Sequence, residues 1–154
     1  MSRESVLVLC TGNSCRSQMA EGYLRVLGGG TLRVASAGTR PAAEVHPLAR
    51  RVMLEDGVDL AGHRPRDISE LRGRPVDHLI IVCDGAARDC PTGWPGVGER
   101  IVWPFDDPAL FEGTGEERLA GFRRVRNEIR ARVTAWLREG ARDPSSAGPD
   151  AAAV

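Results

Sequence analysis

Eight residues concentrate the chemistry of this chain: Cys10-Thr11-Gly12-Asn13-Ser14-Cys15-Arg16-Ser17. The pattern C-x5-R-S joins a thiol to a guanidinium across a stretch rich in small and polar residues. A turn of this composition, set between a strand and a helix, wraps its backbone N–H groups around one tetrahedral oxyanion. The positive end of the helix dipole favours the same anion. Gly12 and Asn13 tolerate the positive φ angles that a tight wrap needs. Arg16, in the first helical turn, offers a planar fork of donors to two oxygens of the anion. Thr11, Gly12, Asn13, Ser14, Cys15 and Arg16 thus form the expected oxyanion-binding set. Cys10 sits in the middle of that field, which is expected to lower its pKa and hold it as a nucleophilic thiolate. Ser17 is placed to donate its hydroxyl to that thiolate. The plain alternative is a buried cysteine ending a strand beside a solvated arginine. The flanking strand, helix, glycine and serine weigh against it.

The elements that must position this loop are legible as hydrophobic patterns. Val6-Leu7-Val8-Leu9 reads as a buried strand, and Met19 to Leu27 carries apolar residues at helical spacing. Gly28-Gly29-Gly30 ends the helix, Thr31 to Ser36 alternates like a second strand, and Ala37 to Ala43 is loop. A second helix starts at Pro47, a residue suited to the first helical position, and stops near Gly57. Ile68 to Leu71 reads as a short helical turn. Val76 to Cys83 is a buried strand, and Glu99 to Trp103 a shorter fourth one. The last helix spans about Glu116 to Arg138. Leu119, Phe122, Val125, Ile129, Val133, Trp136 and Leu137 mark its apolar face.

Strands alternating with helices define an α/β class with a parallel sheet covered on both faces. Ligands of such sheets bind beyond the carboxyl ends of the strands. Three loops meet on that edge: Cys10 to Ser17, Cys83 to Cys90, and Asp106-Asp107-Pro108.

Composition bounds the rest. The chain has 154 residues, enough for one domain with a substantial core, expected over 1–139. Residues 140–154, rich in Ala, Gly, Pro, Ser and Asp, read as a disordered tail. The 21 basic and 21 acidic residues cancel, and no basic stripe is interleaved with aromatics, so nucleic acid is not an expected partner. No apolar run reaches membrane-spanning length and the first residues do not resemble a signal peptide, which points to the cytoplasm and no membrane partner. Four cysteines in a reducing compartment then suggest chemistry rather than structural disulfides.

Cys83 and Cys90 flank Asp84-Gly85-Ala86-Ala87-Arg88-Asp89. Neighbouring strands lie about 4.8 Å apart, so Cys83 approaches Cys10 if the first and third strands are adjacent. A disulfide needs Cα atoms roughly 4.4–6.8 Å apart. Two inert thiols are the alternative. Zinc is disfavoured because neither C-x4-C nor C-x6-C has paired-ligand spacing. His46, His63 and His78 read as loop or strand-edge residues. Asp107, before Pro108, is the candidate general acid; a carboxylate facing a bound oxyanion tends to be held protonated for the leaving oxygen. Asp106 is the competing assignment.

Cys10 to Glu21, Ser36-Ala37-Gly38, the Cys83/Cys90 pair with Pro91, Phe105 to Pro108, and Phe122 to Ile129 occur in the order seen in one family. Over residues 5 to 138 the chain resembles thioredoxin-coupled arsenate reductases of the low-molecular-weight tyrosine phosphatase fold. That resemblance implies a three-layer sandwich with a four-stranded parallel sheet, order 2-1-3-4. It implies that Cys10 attacks arsenate, that Asp107 protonates the departing hydroxide, and that Cys83 attacks Cys10 to expel arsenite. Cys90 then attacks Cys83, and thioredoxin or another thiol carrier, such as a mycothiol-based one, reduces the Cys83–Cys90 disulfide. Cys15 has no assigned step. No organic cofactor is implied, and a monomer is expected. Some relatives hold a potassium ion through positions matching Asn13, Glu21 and Ser36. A further ligand would fall near Asp67, although Gly62 to Asp67 is one residue longer than that pattern.

Two rivals remain at this level. A low-molecular-weight protein tyrosine phosphatase shares Cys10, Arg16 and Asp107, but needs neither Cys83 nor Cys90 and wants aromatics to sandwich a phenol ring. Ala109 follows Asp107-Pro108, and Gly38 to Pro47 has no aromatic such as Tyr or Trp. Residual phosphatase activity is compatible with the reductase. A non-catalytic oxyanion-binding or redox-sensing module is the second rival, and it leaves the nucleophile, arginine and acid without a purpose.

Overall fold

The computed structural model describes residues 3–83 and 97–139. Four strands form one sheet in the order β2-β1-β3-β4: β1 (Glu4–Cys10), β2 (Leu32–Gly38), β3 (Val76–Ile81) and β4 (Val97–Val102). All three pairings are parallel, as expected. Val8, Leu9, Ile80, Ile81 and Val82 are fully buried. Side chains of successive residues point to opposite faces, so both faces of the central strands are covered. β4 lies at an edge and carries Glu99 and Arg100, charges that discourage further strand pairing.

Among the described residues three helices accompany the sheet: α1 (Arg16–Gly28), α2 (Pro47–Glu55) and α3 (Gly115–Arg138). α1 ends where Gly29 turns left-handed at φ 58°. α2 begins with Pro47 at its first turn, as expected. α3 starts with a reciprocal cap between Thr114 and Glu117, which satisfies two orphan N–H groups. Its apolar face buries Leu119, Phe122, Val125, Ile129, Val133 and Trp136. Leu137, expected on that face, is only partly buried. Arg126 is buried with them, because its guanidinium donates to Val52 O and Glu55 Oε1, each at 2.8 Å. It thereby joins α3 to the carboxyl end of α2, where the helix dipole favours a cation. No helix among the described residues is long and apolar enough to cross a membrane.

Element bounds shift by a few residues from the expected ones. β2 runs two residues past Ser36 because Ala37 and Gly38 keep pairing with Leu9 and Cys10. β3 ends at Ile81; Val82 still donates to Leu9 O at 2.9 Å, outside the regular ladder. Ile68–Leu71 is a 3-10 turn capped by Asp67. The Cys83–Cys90 segment beyond Cys83 and the 140–154 tail lie outside the described residues.

Candidate active site

The loop from Cys10 to Arg16 leaves the carboxyl end of the central strand and enters α1. Its six carbonyls from Cys10 to Cys15 are all engaged from outside. Thr39, Arg40, Ala42 and His46 donate their N–H groups to Cys10, Thr11, Gly12 and Ser14 at 2.8–3.3 Å. Gln18 Nε2 donates to Asn13 O at 3.2 Å, and Met19 N to Cys15 O at 2.9 Å. The stretch following β2, read from sequence as plain loop, is therefore the outer clamp of the site. With the carbonyls held outward, the loop's own N–H groups are left for another acceptor. Among the described residues no backbone carbonyl takes the N–H of residues 11–15. A run of uncommitted amides at a helix N-terminus is an anion cradle.

Asn13 holds the curve. It is the only non-glycine residue with positive φ among those described, at 52°. An asparagine tolerates this region, where most L-residues pay about 1–2 kcal/mol. Its buried amide donates to Ser17 Oγ at 2.7 Å and Ser36 Oγ at 2.9 Å. It accepts from Gln18 Nε2 at 3.1 Å and Arg66 N at 2.9 Å. Four hydrogen bonds at about 1 kcal/mol each outweigh the backbone cost. Gly12, expected to share the positive φ, does not adopt it. Ser17 is turned toward Asn13, and no hydrogen bond joins it to Cys10. Its oxygen accepts from Asn13 Nδ2, so Ser17 supports Asn13 while its hydroxyl proton is left for a further acceptor.

Gly38 makes the close approach possible. A Cβ there would lie 2.4 Å from Thr11 O and 3.1 Å from Asn13 N. Gly38→Ala is expected to force the loop away from β2, at an overpacking cost of about 1–3 kcal/mol. Urea unfolding should show the loss and calorimetry a weaker affinity for sulfate or arsenate. Unchanged anion affinity would mean that the β2 contact does not shape the cradle.

Arg16 is nearly buried. Its guanidinium donates to Phe105 O at 3.0 Å and pairs with Asp107 Oδ2 at 3.4 Å. Its Nε is buried with no partner among the described residues, an arrangement suited to receiving an acceptor such as a bound anion. Asp107 also caps the short turn Pro108–Leu110, accepting from Ala109 N at 3.0 Å. Asp106 faces away, paired with Arg124 at 3.3 Å on an exposed surface. Of the two carboxylates, Asp107 is the one at the loop.

Cys10 and Cys83, at the ends of adjacent strands, are both buried and unoxidised. Their thiols share a hydrogen bond. That bond, followed by burial, pushes the Cys10 thiol above its ordinary range, against the pull of the Arg16 charge and the Asn13 N–H. The expected depression of Cys10 is thus opposed, because burial and the Cys83 sulfur favour the thiol while Arg16 and the loop N–H groups favour the thiolate. Thr11 Oγ1 lies 3.3 Å from Cys83 Sγ and tethers it to the loop. Cys83→Ala should therefore lower the pKa of Cys10. Alkylation of the Cys10 peptide by iodoacetamide, followed by mass spectrometry, should shift to lower pH; an unmoved profile would assign the elevation to burial alone.

Cys15, at the N-cap of α1, is buried, and burial pushes its thiol up to about 11. Cys90 lies outside the described residues. His46 caps α2 through Nδ1, which accepts from Leu48 N at 3.1 Å, and its ring meets Phe122 at 4.8 Å. Burial, then the Arg118 charge, hold it below the ordinary histidine value. His78 is buried between Glu99 at 2.7 Å and Glu4 at 3.3 Å, at the sheet end remote from the loop.

The residues expected around potassium do not fit that ion. Asn13 Oδ1 already takes two N–H donors. Glu21 takes Ser36 Oγ at 2.6 Å and Arg25 Nε at 2.8 Å. Asp67 turns away to cap Ser69 N at 2.9 Å. Each of these oxygens already accepts at least one N–H or O–H donor, and Asn13 Oδ1 accepts two, so a cation would have to displace donors that the protein itself supplies. Among the described residues no group of three or more His, Cys, Asp or Glu could hold a metal.

A strand-loop-helix anion cradle with a buried cysteine, an arginine and an aspartate, built on a 2-1-3-4 parallel sheet, defines a class. The chain belongs to the low molecular weight phosphotyrosine protein phosphatase family, whose sequence model matches residues 5–146. Within that class it is similar in sequence to arsenate reductases, and its fold is shared by a low molecular weight protein tyrosine phosphatase from T. tengcongensis, TM-score 0.73 at 21% identity over 88% of this chain and 99% of that one. The chain is 42% identical over 140 residues to an arsenate reductase of Halalkalibacterium halodurans, covering 91% of this chain and 99% of the relative. A solved arsenate reductase in the phosphate binding state superposes with TM-score 0.75 at 32% identity, over 88% of this chain and 98% of that one. A thioredoxin-dependent arsenate reductase of Corynebacterium glutamicum superposes with TM-score 0.60 at 26% identity, over 86% of this chain and 63% of that one.

Proposed function

We propose that the chain reduces arsenate to arsenite through a relay of its own thiols, with Cys10, Cys83 and Cys90 in that order. The observation that carries this reading is that Cys83 follows the strand beside Cys10, is buried with it, and lies 3.3 Å from Thr11 Oγ1 of the anion cradle. A phosphatase has no use for a second sulfur at its nucleophile.

Arsenate enters the loop with its oxygens on the amides of Thr11 to Cys15 and on the Arg16 guanidinium. Cys10 passes its proton to a bound arsenate oxygen as its sulfur attacks arsenic and forms a sulfur–arsenic bond, and an arsenic-bound hydroxide leaves as water with a further proton supplied by Asp107. The Cys83 thiolate attacks Cys10 Sγ. The sulfur–arsenic bond breaks, its electron pair stays on arsenic, and arsenite departs as a Cys10–Cys83 disulfide forms. Cys90 attacks Cys83 and releases Cys10 as thiolate. An external dithiol of the thioredoxin type then supplies two electrons to the Cys83–Cys90 disulfide. The C. glutamicum relative supports that choice of reductant. The reading takes the catalytic unit as a monomer in the cytoplasm, where such carriers are kept reduced. It uses no organic cofactor.

Asp107→Asn is expected to slow the chemical step by about 10²–10⁴-fold while sulfate affinity changes little. Greater damage from Asp106→Asn would reassign the acid. The reading as a whole is tested by comparing thioredoxin-dependent arsenate reduction with hydrolysis of an aryl phosphate by the same preparation. Reduction should dominate. Aryl phosphate turnover alone would make the chain a phosphatase.

A further inference from the structure

Behind the anion loop runs a buried polar chain that the relay does not use. Glu21 is a carboxylate with only 9% of its side chain exposed, on the buried side of α1. A carboxylate so placed needs a compensating charge. Arg25, one turn along, supplies it: Nε donates to Glu21 Oε2 at 2.8 Å. A second guanidinium nitrogen donates to Val34 O of β2 at 2.6 Å. The other Glu21 oxygen takes the Ser36 hydroxyl at 2.6 Å. Ser36 accepts from Asn13 Nδ2 at 2.9 Å, and Asn13 is the residue that holds the curve of the anion loop at φ 52°. The guanidinium is thus linked to the anion loop by three successive hydrogen bonds, through Glu21 and Ser36 to Asn13. His63 flanks the same carboxylate, its Nδ1 3.0 Å from Gln18 Oε1 and 3.7 Å from Glu21 Oε2.

We propose that Arg25 is the built-in counter-ion of Glu21, that it positions the anion loop through Ser36 and Asn13, and that the chain consequently requires no bound monovalent cation. The loop oxygens that a potassium ion would need already carry N–H or O–H donors, and the charge it would neutralise is already neutralised. Arg25 is a positioning residue and does not touch the anion. The proposal rests on reading Cys10 to Ser17 as the oxyanion site, not on the reductase reaction.

The test uses Arg25→Met, Arg25→Lys and the charge-balanced pair Glu21→Gln/Arg25→Met. Thermal unfolding is followed in potassium, sodium and tetramethylammonium chloride at equal ionic strength. Sulfate affinity is measured by calorimetry well below the melting temperature, so neither readout depends on arsenate turnover. The original chain should melt at the same temperature in all three salts. Arg25→Met should melt lower by roughly 3–6 °C. It should bind sulfate on the order of tenfold more weakly, the scale of one charge-assisted hydrogen bond. Arg25→Lys should recover part of both losses. The paired variant should bind better than Arg25→Met alone, since it leaves no uncompensated carboxylate. Potassium-specific stabilisation of the original chain would overturn the proposal. So would an Arg25→Met variant with normal sulfate affinity, or a paired variant no better than the single one.

Discussion

Cys10→Ser is expected to abolish arsenate turnover, by on the order of 10⁴-fold or more, with the fold retained. A serine hydroxyl at this position is far less ionised than a thiol, and its oxygen cannot form the sulfur–sulfur bond that releases arsenite. Cys10 is buried at the end of the central strand, and replacing sulfur by oxygen opens little space. Circular dichroism and the melting temperature should therefore stay close to the original. Sulfate binding should persist, because the donors are backbone amides and Arg16 rather than the sulfur. Arg16→Lys separates the two functions from the other side. An ammonium cannot replace a guanidinium that simultaneously reaches Phe105 O and Asp107 and keeps its buried Nε for the anion. Both sulfate affinity and turnover should fall in that variant. Near-normal arsenate reduction by Cys10→Ser would remove the nucleophile from the account.

Much of this site can be read from the residues alone, and the division follows sequence distance. The strand-turn-helix around Cys10 is local: Val6 to Leu9 and Met19 to Leu27 announce its flanks by their periods. The adjacency of Cys10 and Cys83 follows once β1 and β3 are neighbours, since parallel strands end on one edge. Asp107 over Asp106 needs the structure, because only the side-chain partners, Arg16 and Arg124, tell the two apart.

What composition and spacing do not reveal is the support of the loop. Thr39, Arg40, Ala42 and His46 act through backbone N–H groups, which leave no mark in side-chain type. Gln18, Ser36 and Arg66 converge on Asn13 from separate segments. The elevated thiol of Cys10 escaped for a similar reason. The helix dipole and Arg16 are visible in the motif and both lower its pKa, whereas Cys83 raises it from a segment 73 positions away. The sulfur pair that opposes ionisation of Cys10 is also the pair the relay joins, so once arsenic occupies Cys10 the same contact becomes the path of attack.

The measurement closest to the central claim is a single-turnover arsenite assay on Cys90→Ser without added small thiols. A phosphatase-type cycle regenerates Cys10 with water and consumes no thiols, whereas a reductase must draw two electrons per arsenate from a second sulfur. With Cys10 and Cys83 intact, Cys90→Ser should release about one arsenite per molecule and then stop, trapped as a Cys10–Cys83 disulfide. Peptide mapping should find that linkage. Cys83→Ser should give no burst, while any aryl phosphate hydrolysis should survive both changes. Sustained thioredoxin-dependent turnover by Cys90→Ser, or a full burst from Cys83→Ser, would contradict the relay.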